Sequence, residues 1–131
     1  MSEPIGEVLS GHDYAREKQH WLHDHHWDPL GEATITTPGQ AGQQALGAAV
    51  ATGKTRRIRE VTVTNTAGAI TLIELYVGNT CILSFYVGAT DSVTWHSEDG
   101  RKVAAGNIVY VRSSAAAAGT PTRVSVAGVE A

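Results

Sequence analysis

The chain has 131 residues, 42% of them hydrophobic and 18% charged, which suits a single domain with a genuine core. A net charge of −3 argues against a general nucleic-acid binder, and no apolar run is long enough to span a membrane. A lone cysteine, Cys81, excludes an internal disulfide. Gly, Thr, Val and Ala are plentiful, which favours a β-rich fold with many turns.

The first 37 residues hold seven acidic and two basic residues, five of the six histidines and two of the three tryptophans. The N-terminal stretch MSEPIGEVLSGHDY lacks the basic and apolar regions of a signal peptide, so a reducing compartment is expected. Ser10–Asp28 has the makings of a short helix, with Ser10 as cap, Asp13 in the first turn and Pro29–Gly31 as the stop. Tyr14, Trp21, Leu22 and His25 would share a narrow stripe on it. A helix this short needs a surface to pack on. Trp21, Leu22 and Trp27 therefore dock either on this chain's own body or on a neighbouring subunit. Residues 1–31 are read as an extended N-terminal arm and residues 32–131 as the body.

Glu32–Thr37 alternates and reads as a first strand, and Pro38–Gly53 as a linker with a weak strand near Ala45–Thr52. Lys54–Asn65 reads as a long strand with Val61 and Val63 inward. Ile58 is out of phase with them, which places a bulge or bend near Arg59.

The stretch Glu60–Val87 is the expected centre of the fold. Its apolar runs Ala69–Val77 and Thr80–Val87 flank Gly78–Asn79, a tight hairpin connector in which both residues are free to take positive φ. Side-chain alternation puts Ile73, Leu75 and Val77 on one face of the first strand, and Cys81, Leu83, Phe85 and Val87 on one face of the second. Full burial of each large apolar side chain is worth roughly 1.5–3 kcal/mol, so this face is the natural core and Cys81 is expected as a buried thiol.

After the hairpin, Ser92–His96 is a strand with Val93 and Trp95 on one face, and Ser97–Gly100 a polar loop. Lys102–Ala105 is short, Asn107–Arg112 a strand, Ser113–Pro121 a small-residue loop and Thr122–Val129 the last strand. Short strands with turns between them predict an all-β fold, an antiparallel β-sandwich of jelly-roll type.

Three groups of residues bear on chemistry. His12, His20, His23, His25 and His26 crowd the arm. On a helix His20 and His23 share a face, and Asp24 and Asp28 could add oxygen ligands, but no cysteine partner or HExxH spacing accompanies them. Polar or pH-sensitive packing at an interface is the plainer reading, and no metal or cofactor is expected. Lys54, Arg56, Arg57 and Arg59 form a basic run at a strand start, either solvated or paired with carboxylates of another subunit. No nucleophile motif or glycine-rich phosphate loop occurs. His96, between Trp95 and Ser97, has no partner on its own face, so the chain is read as non-enzymatic.

The runs VTVTNTAG (Val61–Gly68), ELYVG (Glu74–Gly78), ILSFYVGATDSVTW (Ile82–Trp95), KVAAGNIVYVRSS (Lys102–Ser114) and RVSVAGVE (Arg123–Glu130) resemble the strand-and-turn cadence of tailed-bacteriophage virion proteins. The resemblance is in particular to capsid decoration, or cement, proteins with a β-sandwich or jelly-roll body. That resemblance implies a homotrimer on the capsid surface, made in the host cytoplasm. It would staple neighbouring major capsid subunits without contacting nucleic acid or membrane. Tyr14, Trp21, Leu22 and Trp27, with Arg56, Arg57 and Arg59, are then the expected interface residues. Two other readings stand beside it. One is a tail or fibre module binding a host glycan through Trp95, Tyr76, Tyr86 or Tyr110, of which strand parity buries Trp95. The other is a small His-rich metal-binding protein.

Overall fold

The computed structural model describes residues 27–131. They fold as two antiparallel four-stranded sheets packed face to face, the expected all-β sandwich. The strands are β1 (Asp28–Ile35), β2 (Gln44–Ala45), β3 (Arg56–Asn65), β4 (Thr71–Val77), β5 (Thr80–Val87), β6 (Ser92–Val103), β7 (Val109–Ser113) and β8 (Thr122–Glu130). The first sheet has the order β1-β8-β3-β6 and the second β2-β7-β4-β5.

Alternation decides the core. Ile58, Val61 and Val63 of β3, with Val124 and Val126 of β8, face Ile73 and Leu75 of β4, Leu83 and Val87 of β5 and Val109 and Val111 of β7. All are buried. The β4–β5 hairpin is central, and Gly78 takes φ 61° at its tip while Asn79 does not share that conformation.

One expected core residue moves. The β4–β5 register shifts between Leu75 and Tyr76, so that Leu75 pairs with Leu83 but Tyr76 with Cys81. The extra residue, Ile82, reverses side-chain parity at the turn end of β5. Cys81 is therefore exposed, not buried, and its Sγ donates to the Leu83 carbonyl at 3.4 Å.

The irregularity expected near Arg59 is present. The pairing of β3 with both β6 and β8 shifts between Ile58 and Glu60. Across it the β6 register steps from His96 to Arg101, so the loop expected at Ser97–Gly100 is an excursion within one strand. Gly128 closes the other side, where a Cβ would overlap the Arg57 carbonyl oxygen. β1 starts at Asp28, earlier than the expected Glu32, and the weak strand at 45–52 shrinks to Gln44–Ala45.

Buried polar groups tie the sheets together. The Thr71, Ser113 and Thr122 hydroxyls form a chain, each link 2.9 Å, between the second sheet and β8 of the first. Asn65 donates to the Ala69 and Gly88 carbonyls, each at 2.9 Å, and accepts from the Ala67 amide at 3.0 Å, pinning two turns at one end. No helix among the described residues is long and apolar enough to cross a membrane.

Candidate functional site

The strands that bury Val61, Val63, Val124 and Val126 must send their alternate residues outward. On the first sheet this gives a grid of polar side chains. Pro29, Ala127, Glu60 and His96 lie in register across the four strands, as do Glu32, Ser125, Thr62 and Thr94, and then Thr34, Arg123, Thr64 and Ser92. Hydroxyls meet across β3 and β6: Thr62 with Thr94, and Thr64 with Ser92, each at 3.2 Å.

Trp27 crosses this grid. It precedes β1 at one edge of the sheet, yet its ring stacks on His96 of β6, the opposite edge, with centroids 5.0 Å apart and planes inclined by 24°. Beneath lies a trough of about 440 Å³ lined by Trp27, Pro29, Leu30, Glu60, Thr62 and Ser125 among others. A second hollow of about 210 Å³, beside Glu32, Thr64 and Arg123, continues along the same face. The trough offers carboxylate acceptors and hydroxyls beside an aromatic wall, the makeup of a polar-ligand surface.

The outer face of the second sheet is different in kind. Tyr76 and Tyr110 are cross-strand partners, as are Leu72 and Tyr86. Tyr86 is 69% exposed and Ile70, just before β4, 65% exposed. The Arg112 guanidinium lies 3.7 Å from the Tyr76 ring centroid and donates through Nε to Gln43 Oε1 at 3.0 Å. The Tyr76 hydroxyl donates to Glu74 Oε2 at 3.3 Å. Desolvation first, then the Glu74 carboxylate, raise the Tyr76 phenol above its ordinary value, with Arg112 pulling the other way.

The basic run separates. Arg56 is buried with its carboxylate partner inside the chain: its guanidinium lies 2.7 Å from Glu130 and donates to the Ala48 carbonyl at 3.0 Å. Glu130 also accepts from the Ala51 amide at 3.1 Å. That bond first, then Arg56, holds its carboxyl below the ordinary value. Arg57 donates to the Asp99 carbonyl at 3.1 Å, and the buried Arg59 Nε has no hydrogen-bond partner among the described residues. Tyr14, Trp21 and Leu22 and the five arm histidines lie outside the described residues. Trp95 is partly buried against the core with Arg101 over its ring, so the three tyrosines are the outward aromatics of the glycan reading.

Sequence reasoning passed over Glu60, Thr62 and His96 as a set. Thr62 was legible from its alternation with Val61 and Val63. The Trp27–His96 contact was not, because it joins the residue before β1 to β6, at opposite edges of the sheet.

Fold and faces define a small antiparallel β-sandwich protein with two chemically distinct outer surfaces. No family model and no curated protein matches the chain. Among solved structures, a crystal structure of PirA is similar over 73% of this chain and 89% of its own, with 12% identity and a TM-score of 0.47. A likeness of that size says nothing about activity.

Proposed function

We propose that the protein is a non-enzymatic virion structural protein, a capsid decoration or cement protein that binds neighbouring major capsid subunits on the phage head. The observation that carries this reading is the outer face of the second sheet. There Leu72 and Tyr86, with Ile70 just before β4, and the pair Tyr76 and Tyr110 lie on either side of the polar row Arg112, Glu74 and Ser84. Tyrosine-rich surfaces of this kind anchor protein–protein contacts. The strand cadence shared with decoration proteins supports the same reading. Residues 1–31, read from the sequence as an extended arm with Trp21, Leu22 and Trp27 as anchors, would supply the reach toward a second capsid subunit.

The test is occupancy on particles lacking the protein. Added wild-type protein is expected at a fixed ratio to the major capsid protein, and a chain lacking residues 1–26 at much lower occupancy. Absence of wild-type binding to every capsid form overturns the reading. Equal occupancy of the truncated chain removes the arm as an anchor.

The shared face of Tyr76, Tyr86 and Tyr110 also favours a second reading, a tail or fibre module that binds a host glycan through stacked sugar rings. A glycan array with wild type and Tyr86→Ala separates the two.

A further inference from the structure

Among the described residues the two sheets present four edge strands, and three of them are blunted. β1 carries Asp28, Pro29 and Glu32 and a register break between Pro29 and Gly31. β2 has two residues. β6 carries Glu98, Asp99, Arg101 and Lys102 and leaves its register between His96 and Arg101. Charge, proline, irregularity and brevity are the devices that stop edges from pairing with other chains.

β5 has none of the first two and is long. Its eight residues, TCILSFYV, include no charge and no proline, and its pairing with β4 is regular from Leu83 to Val87. The direction of its backbone groups follows from β4. Both the amide and the carbonyl of Leu72 are engaged by Ser114, on the β7 side. Leu72 and Tyr86 are therefore the non-hydrogen-bonded kind of antiparallel pair. The Tyr86 amide and carbonyl face away from β4, and so do those of Ser84, two residues earlier.

We propose that a second copy of this chain pairs antiparallel with β5 across a two-fold axis at Ser84, joining two four-stranded sheets into one of eight. Self-pairing of an uncharged strand brings no like charges together. Centred on Ser84, the register sets Tyr86 level with Ile82 of the second copy, the bulged residue, whose side chain packs against the core. It also sets Phe85, only partly buried at the open edge, opposite Leu83, extending the core. Arg101, whose Nε donates to the Ile82 carbonyl at 2.8 Å, guards one end of the edge and gives way on pairing. The contact is two-fold, unlike the three-fold assembly that the decoration-protein resemblance implies, and it stands independently of the capsid reading.

The experiment is sedimentation equilibrium of the full chain at tens of micromolar, with Ser84→Lys and Ser84→Glu variants. Ser84 is exposed, so both variants keep the fold, checked by circular dichroism. Wild type is expected at the dimer mass. Each variant alone is expected as a monomer, with self-association weakened more than tenfold, because like charges then face each other across the axis. An equimolar mixture of the two variants is expected to recover the dimer mass as a heterodimer. A monomeric wild type, an exclusively trimeric one, oligomers indifferent to S84K, or a mixture that stays monomeric overturns the proposal.

Discussion

The two sheets share one core and differ most in the aromatic and hydroxyl side chains they show to solvent. Inward, both present mainly Val, Ile and Leu, joined by the buried hydroxyls of Thr71, Ser113 and Thr122. Outward, the first sheet presents threonines, serines, Glu32, Glu60, Arg123 and His96 beneath a single tryptophan, and the second presents tyrosines and leucine on either side of Arg112, Glu74 and Ser84. Alternation lets one strand serve both demands, because a residue chosen for one face places no packing demand on the other. Stability should therefore respond alike to inward changes in either sheet and unequally to outward ones.

The largest expected effect tests the shared half of that comparison. Leu75→Ala in the second sheet should lose about 2–5 kcal/mol in urea unfolding, and Ile58→Ala in the first a similar amount, since both are fully buried. One cooperative transition is expected in both variants. Two separated transitions would show that the sheets do not share a core. Next comes the end that holds them in register. Asn65→Ala strands the Ala67 amide and two turn carbonyls, and should lose about 1–3 kcal/mol.

Glu130 sharpens the comparison by pH. Its carboxyl is held low chiefly by the Ala51 amide and then by Arg56. A group whose folded value is depressed adds stability that is present above its ordinary value and lost as pH falls through the folded one. Wild type should thus lose thermal stability on acidification more steeply than Glu130→Gln, whose midpoint starts lower at neutral pH. Parallel melting-temperature curves would refute the linkage. The smallest effect belongs to the outer faces. Trp27→Ala removes the stack on His96 and should lower stability by about 0.5–1.5 kcal/mol, whereas Tyr86→Ser should move it by less than ~0.5 kcal/mol. A large loss from Tyr86→Ser that does not depend on protein concentration would mean that this face packs within the chain.

Much of the architecture was legible from spacing. The Gly78–Asn79 turn between two apolar runs located the β4–β5 hairpin, and the phase of Ile58 against Val61 located the break at Arg59. Both are local signals, carried by residues a few positions apart. Cys81 misled because strict parity was extended through a bulge that no residue of β5 announces. Arg56 misled because its partner, Glu130, lies at the far end of the chain, where no spacing rule reaches. The tyrosine face was legible as three candidates, and their convergence depended on β4 lying between β5 and β7.

Side-chain alternation along each strand was enough to dictate that this protein is an all-β sandwich and, Cys81 excepted, which apolar residues of the central hairpin face its interior, because burial of apolar surface acts on every strand through the same two-residue period. Strand order came from long-range pairing instead: which edges lie open, which outward side chains become neighbours, and which carboxylate meets Arg56. Those pairings depend on closing loops of many residues, and their free energy is settled only when the whole core is assembled.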